Sequence, residues 1–198
     1  MTMKQPDIID VTLAVTRIFD GLKIDYYIGG SLASSAFGVA RSTMDVDIVA
    51  DIKIQHVTGI EEELKKAFYI DKEMVERAIR ERSSFNIIHL KSMFKVDVFI
   101  PPDHPFERQV FSRKLSQPVT EDGLKKLFFS SPEDIILRKL VWYQTGGRIS
   151  DRQWNDVLGV MKVQSERLDK PYLRLWAANL GVAELLERAY HDSGVEEN

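Results

Sequence analysis

The feature that most constrains the fold is the segment 45–50, Asp-Val-Asp-Ile-Val-Ala, in which carboxylates alternate with apolar side chains. This period of two is typical of a β-strand with one buried face. Residues i and i+2 of a strand point to the same side, so Asp45 and Asp47 are expected side by side, roughly 6–7 Å apart. Two such carboxylates repel each other unless a cation lies nearby or one binds a proton. The segment therefore predicts an acidic site on one face of a sheet.

A second apolar segment, 94–99, carries Asp97 in its middle. A carboxylate inside an apolar strand is costly unless something pairs with it. If this strand neighbours segment 45–50, three carboxylates converge. Their oxygens suit Mg²⁺, and three carboxylates can hold two metal ions about 4 Å apart for phosphoryl transfer. Taken singly, an Asp-x-Asp strand and Asp97 are more often solvated surface, so the prediction depends on the combination.

A Gly29-Gly30 pair precedes the acidic strand, and Ser31 begins a short helical segment after it. Glycines let the backbone approach a ligand closely, and a helix N-terminus offers unpaired N–H groups to phosphate. The Ser31 hydroxyl adds a donor, and Arg41 and Thr43 could hold phosphate oxygens. By itself a Gly-Gly pair more often marks only a turn.

The periodicity of the chain predicts strands in the middle of the first 130 residues and helices over the last 70. Ser131-Pro132 is a strong helix start, with an N-cap hydroxyl and proline in the first turn. We therefore expect two domains, 1–130 and 131–198. The predicted helices are 6–21, 31–37, 53–68, 72–81, 104–113, 131–145 and, with breaks, 150–190; the predicted strands are 25–28, 45–50, 85–90, 94–100 and, within an ambiguous stretch, 127–129.

Composition excludes several classes of function. The 198 residues carry 27 basic and 30 acidic side chains, so no overall basic footprint for nucleic acid exists. The chain has no cysteine, which excludes disulfides, thiolate zinc sites and cysteine nucleophiles. Asp7 and Asp10 do not suit a signal peptide, and no apolar run approaches the roughly 20 residues of a membrane span. We expect a soluble, cytoplasmic protein without a membrane partner.

Together these residues resemble a known family. Gly29-Gly30-Ser31, a short helix, Asp45-x-Asp47 and a later strand with Asp97 resemble the signature of the nucleotidyltransferase (polymerase-β-like) superfamily. Within it, segment 41–47 is similar to the Arg-x-Thr-x-Asp-hydrophobic-Asp segment of the AbiEii/AbiGii-type and related minimal nucleotidyltransferases. That group includes toxins of toxin–antitoxin pairs.

The resemblance implies an α+β fold: a mixed β-sheet flanked by helices, a helical C-terminal domain, and a nucleotide in the cleft between them. It also implies transfer of an NMP from an NTP to an acceptor hydroxyl. Asp45 and Asp47 would bind Mg²⁺, for which Mn²⁺ could substitute. Asp97 would be the third acid, either as a base toward the acceptor or as a metal ligand.

The resemblance assigns further residues to nucleotide binding. Gly29, Gly30 and Ser31 would contact the triphosphate, Lys139 would reach phosphates from the second domain, and Asp156 would lie near the cleft. Related toxins often have an Arg-Asp pair before the final aspartate, whereas this chain has the order Asp151-Arg152.

The sequence leaves three candidates for the acceptor: tRNA or another RNA, a protein, and a small molecule. A toxin would also have an antitoxin protein as its partner. The alternative hypothesis is a non-catalytic module on the same fold that binds a nucleotide or a protein partner.

Overall fold

The structure, a computed structural model, describes residues 6–196. Helices and strands alternate in its first two thirds, and helices occupy the last third. The helices are α1 (Ile8–Gly21), α2 (Gly30–Phe37), α3 (Val57–Leu64), α4 (Lys72–Glu81), α5 (Pro105–Arg113), α6 (Pro132–Thr145), α7 (Asp151–Gln164), α8 (Lys170–Asn179) and α9 (Ala183–Ser193). The strands are β1 (Tyr26–Ile28), β2 (Asp45–Ala50), β3 (Phe68–Tyr69), β4 (Ser84–His89), β5 (Lys95–Phe99), β6 (Leu115–Pro118) and β7 (Lys126–Phe129).

The strands of the described range form one sheet in the order β3-β4-β5-β2-β1-β7-β6. The pairs β2–β5 and β1–β7 are parallel, and the remaining neighbours are antiparallel. The sheet is therefore mixed, and the predicted α+β class with flanking helices is confirmed.

The chain groups into two compact units. Unit 1 consists of the chain up to Gly29 and Thr43–Phe129, and contains the sheet with α1, α3, α4 and α5. Unit 2 consists of Gly30–Ser42 and the chain from Ser130 onward, and contains α2 and α6 to α9. The predicted domains, 1–130 and 131–198, stay a prediction; the units differ from them by placing residues 30–42 with the C-terminal helices.

The centre of the sheet shows the alternation that its sequence predicts. On β2 and β5, Val46, Ile48, Val96 and Val98 are fully buried. The intervening positions lie on the opposite face; Asp45, Asp47, Lys95 and Asp97 there are polar, and Val49 and Phe99 follow them at the far end of the two strands. Apolar burial on one face stabilises the two strands, and this leaves the other face for chemistry.

Side-chain caps begin several helices. The Asp7 carboxylate accepts hydrogen bonds from the N–H groups of Ile9 and Asp10 at the start of α1. Ser131 caps α6 as predicted, because its hydroxyl accepts from the Asp134 N–H at 3.2 Å. Such caps satisfy donors that have no partner within the helix.

Three features differ from the predicted elements. The helix expected over 53–68 is a 3₁₀ turn (Ile54–His56), then α3, and Phe68 already belongs to strand β3. Strands β3 and β6 were not predicted. Both lie at sheet edges and owe their conformation to hydrogen bonds from one neighbouring strand.

No helix within residues 6–196 is both long enough and apolar enough to cross a lipid bilayer.

Candidate active site

Three carboxylates share one face of the sheet in unit 1. Asp45 and Asp47 are two residues apart on β2, and the parallel register places Asp97 of β5 opposite Asp47. Directly paired residues on neighbouring strands point to the same side. We call Asp45, Asp47 and Asp97 the carboxylate face. The predicted convergence of the three acids on one face is thus present in the fold.

Lys95 lies on this same face, because it pairs with Asp45 and precedes Asp97 by two residues. Its Nζ is 2.8 Å from Asp97 Oδ2 and 3.9 Å from Asp45 Oδ1. The hydrogen bond to Asp97 raises the pKa of Lys95; burial opposes this, and the charges of Asp97, Asp45 and Asp47 add to it. Lys95 is therefore a cation among the carboxylates, and sequence reasoning missed it although its i,i+2 spacing from Asp97 was a usable signal.

Hydrogen bonds to the backbone of Asp45 and Asp47 fix the position of β2. The Gly29 N–H donates to the Asp47 carbonyl oxygen at 2.9 Å, which extends the pairing of β1 with β2. The Thr43 hydroxyl donates to the Asp45 carbonyl oxygen at 3.1 Å. In this structure Thr43 thus fixes the start of β2. Gly30 has a φ of +54°, a left-handed conformation that favours glycine, and begins α2 in unit 2.

The donor set of the carboxylate face fits a hard divalent cation. Mg²⁺ binds one or two carboxylates together with water and substrate phosphate oxygens. Within residues 6–196, no three or more His, Cys, Asp or Glu side chains have an arrangement that could hold a metal ion. Assignment of a metal to Asp45, Asp47 and Asp97 stays a prediction.

A second polar group lies in unit 2 around Asp156, which is on α7 with a side chain 7% exposed. Arg41 binds it through two parallel hydrogen bonds, from Nε to Oδ1 and from Nη2 to Oδ2, both 2.9 Å. Lys139 of α6, whose side chain is 3% exposed, places Nζ 2.8 Å from Asp156 Oδ2 and 3.1 Å from Gln153 Oε1. We call Arg41, Lys139, Gln153 and Asp156 the Asp156 cluster.

The charges of this cluster shift the pKa of Asp156. Burial alone would raise it, but hydrogen bonds from Arg41 and Lys139 and their positive charges outweigh burial and lower the pKa below its usual range. The hydrogen bond to Asp156 likewise raises the pKa of Arg41. The pair is therefore fully ionised at neutral pH.

Ser31, near the start of α2, connects two guanidinium groups. Its hydroxyl oxygen accepts from Arg41 Nη2 at 2.5 Å and from Arg152 Nη2 at 3.2 Å. Two cations beside a helix N-terminus form an environment that favours an anion.

The predicted site residues thus fall into two groups. Unit 1 holds the carboxylate face with Gly29 and Thr43, and unit 2 holds Gly30, Ser31, Arg41, Lys139 and Asp156. The phosphate-binding role predicted for Lys139 stays a prediction; in this structure its ammonium binds Asp156 and Gln153. Gln153 was missed, although its spacing of three from Asp156 on a helix was a signal.

Neither a protein-family model nor a curated protein matches this chain. Solved structures do. A nucleotidyltransferase-like antigenic protein from Paracoccidioides brasiliensis superposes with a TM-score of 0.55 at 17% identity, covering 95% of this chain and 96% of the other. The antibiotic-resistance factor ANT(2'')-Ia in complex with adenylyl-2''-tobramycin superposes with a TM-score of 0.52 at 13% identity, covering 86% and 94%.

This chain has a nucleotidyltransferase-like fold. The resemblance drawn from the sequence is thereby confirmed at the level of the fold. Within the nucleotidyltransferase-like fold, the carboxylate face lies on neighbouring central strands and the Asp156 cluster lies among the helices of unit 2.

Proposed function

We propose that this protein is a metal-dependent nucleotidyltransferase that moves an NMP from an NTP to an acceptor hydroxyl. The observation that carries the proposal is the strand register that puts Asp45, Asp47 and Asp97 on one sheet face. The nucleotidyltransferase-like fold supports it. Like carboxylates on adjacent strands destabilise a sheet, so three on one face suggest use of a cation.

The reaction balances as a simple displacement. The acceptor oxygen forms a bond to the α-phosphorus of the NTP, and the bond from that phosphorus to the oxygen bridging to the β-phosphate breaks. Pyrophosphate leaves with the electron pair. Asp45 and Asp47 would hold Mg²⁺, which when bound offsets negative charge on the phosphates.

Asp97 has two candidate roles. As a base, its carboxylate takes the proton that the acceptor hydroxyl loses; as a ligand, it shares the metal. The variant Asp97→Asn separates them, because loss of a base stops turnover and leaves metal affinity intact, whereas loss of a ligand weakens both.

Residues of unit 2 would bind phosphate. Ser31 and the guanidinium of Arg41 are the principal donors, helped by the backbone of Gly30; Gly29, in unit 1, donates its N–H to the Asp47 carbonyl oxygen. Asp156 would orient Arg41 and Lys139, whose nitrogen atoms it already holds at 2.8–2.9 Å. Positioned donors cost no reorganisation when the substrate arrives.

The proposal leaves the acceptor as tRNA or another RNA, a protein or a small molecule. The adenylylated tobramycin bound to ANT(2'')-Ia is a small-molecule example on this fold. A role as a toxin with an antitoxin partner and a cytoplasmic location belong to the proposal as predictions from the sequence.

The test is transfer of label. Purified protein is incubated with each α-³²P-labelled NTP, Mg²⁺ and total cellular RNA or lysate, and label is measured in RNA, protein and small molecules. We expect label in one fraction, and its loss in the variant Asp45→Asn/Asp47→Asn.

The matched control is Asp51→Asn, which changes a half-exposed aspartate one residue beyond β2. It should keep full activity. Retained labelling by a folded Asp45→Asn/Asp47→Asn variant would contradict the proposal. Mg²⁺-dependent NTP binding without labelling of any fraction would favour the non-catalytic module.

A further inference from the structure

Lys95 and the three carboxylates form an array of four side chains on two strands. Asp45 is paired with Lys95, and Asp47 is paired with Asp97. Side chains of paired residues and of residues two apart all lie on one face. The array holds three negative charges and one positive charge, so Lys95 offsets part of the repulsion among the acids.

The position of Lys95 Nζ is that of a bridging cation. It lies 2.8 Å from Asp97 Oδ2 and 3.9 Å from Asp45 Oδ1, one contact to each of the two strands. A metal ion held by oxygens of the same carboxylates would meet this ammonium at close range. Two cations that close repel each other strongly.

We propose that Lys95 is an internal counter-ion that competes with the divalent metal for Asp45 and Asp97, so that metal binding displaces its ammonium. This inference rests on the proposed function, since it takes the carboxylate face as the metal site. It concerns Lys95, a residue to which the sequence assigned no role.

The side chain of Lys95 is able to make this movement. It is 41% exposed, and a flexible four-carbon stem can turn the ammonium toward solvent or toward a substrate phosphate. Lys95 therefore offsets part of the negative charge of the face before metal arrives and weakens the affinity for metal.

The test is direct metal binding. Free Mn²⁺ is measured by electron paramagnetic resonance during titration of the full chain without nucleotide, for wild type and for Lys95→Met. We expect Lys95→Met to bind Mn²⁺ about tenfold more tightly, because a positive charge next to the ion is removed. Lys95→Arg keeps the charge and should bind as wild type does.

The matched control is Lys126→Met, which changes an exposed lysine on β7, three strands away from β5 in the sheet. It should leave Mn²⁺ affinity within twofold of wild type. Circular dichroism checks that each variant folds, and Lys95→Gln replaces Lys95→Met if the latter does not.

The outcomes separate this inference from the proposed function. Equal or weaker Mn²⁺ binding by Lys95→Met, with wild type binding the ion, overturns the counter-ion role and leaves the metal site intact. Absence of Mn²⁺ binding in both wild type and Lys95→Met overturns the metal site and with it this inference.

Discussion

Arg41 and Asp156 lie 115 positions apart in the sequence and form a bidentate ion pair, with both N···O distances 2.9 Å. Lys139 binds the same carboxylate from α6. A buried carboxylate with two cationic partners is stable only as a complete set, because loss of one partner leaves an uncompensated buried charge. The Asp156 side chain, on α7, thus connects the loop that carries Arg41 with helix α6 of unit 2.

Replacement of Asp156 by Asn should destabilise the protein by about 3 kcal/mol, because Lys139 is left buried without its carboxylate. Urea denaturation measures the loss. The control is Asp192→Asn, which removes an exposed surface pair with Arg188 and should change little. Addition of Lys139→Met to Asp156→Asn should restore part of the stability. If Asp156→Asn lowered the free energy of unfolding by well below 1 kcal/mol, the Asp156 cluster would not be a main source of stability in unit 2.

The stability difference between wild type and Asp156→Asn should depend on pH. The pKa of Asp156 is lowered in the folded protein, so its stabilising effect is complete above the unfolded value of about 4 and is lost as the pH falls through the folded value. The difference should be constant from pH 8 to about 5 and shrink below about 4. Urea denaturation in steps of pH checks this, and a constant difference down to pH 3 would contradict the assigned shift.

Gly38 is expected to tolerate no side chain. A Cβ atom there would lie 2.9 Å from the Val160 nitrogen and 3.0 Å from the Gly159 carbonyl carbon, both backbone atoms of α7. Gly38→Ala should therefore cost about 2 kcal/mol, since overpacking against a backbone cannot be relieved by a rotamer change. Thermal unfolding gives the measurement. Gly21→Ala, which meets nothing within 4 Å at the end of α1, should be neutral or slightly stabilising; equal melting temperatures for the two variants would argue against close packing at Gly38.

Tyr26 should make the protein sensitive to alkali. Burial raises the pKa of Tyr26 to about 12, with a hydrogen bond from Thr16 opposing this and the charges of Asp20 and Asp25 adding to it. Since the folded pKa exceeds the unfolded value of about 10, stability is complete below pH 10 and falls as the pH rises toward 12.

Wild type should thus lose about 2 kcal/mol relative to Tyr26→Phe between pH 9 and 11.5. Denaturation at several pH values tests this, and absorbance at 295 nm reports the ionisation itself. Tyr69→Phe, at a tyrosine 56% exposed on β3, should behave as wild type. Parallel curves for wild type and Tyr26→Phe would rule out a buried, protonated Tyr26.

The sequence predicted the elements whose signals are local. The alternation over 45–50 predicted β2, because a half-buried strand needs a period of two. The Ser131 cap predicted the start of α6, because the cap satisfies donors within one turn. By contrast, β6 (Leu115–Pro118) has exposed or half-exposed side chains without a clear pattern, and only its pairing with β7 makes it a strand.

The carboxylate face shows the same division. The sequence by itself determined that Asp45 and Asp47 share one side of a strand, since the pleat of the backbone imposes this. Only the tertiary structure decided that Asp97 is opposite Asp47 and that Lys95 joins them, because the register between β2 and β5 is set by burial of their apolar faces. In unit 2, no local period connects Arg41 to Asp156; burial of the carboxylate between two cations selects that contact, and it exists only once the chain has folded.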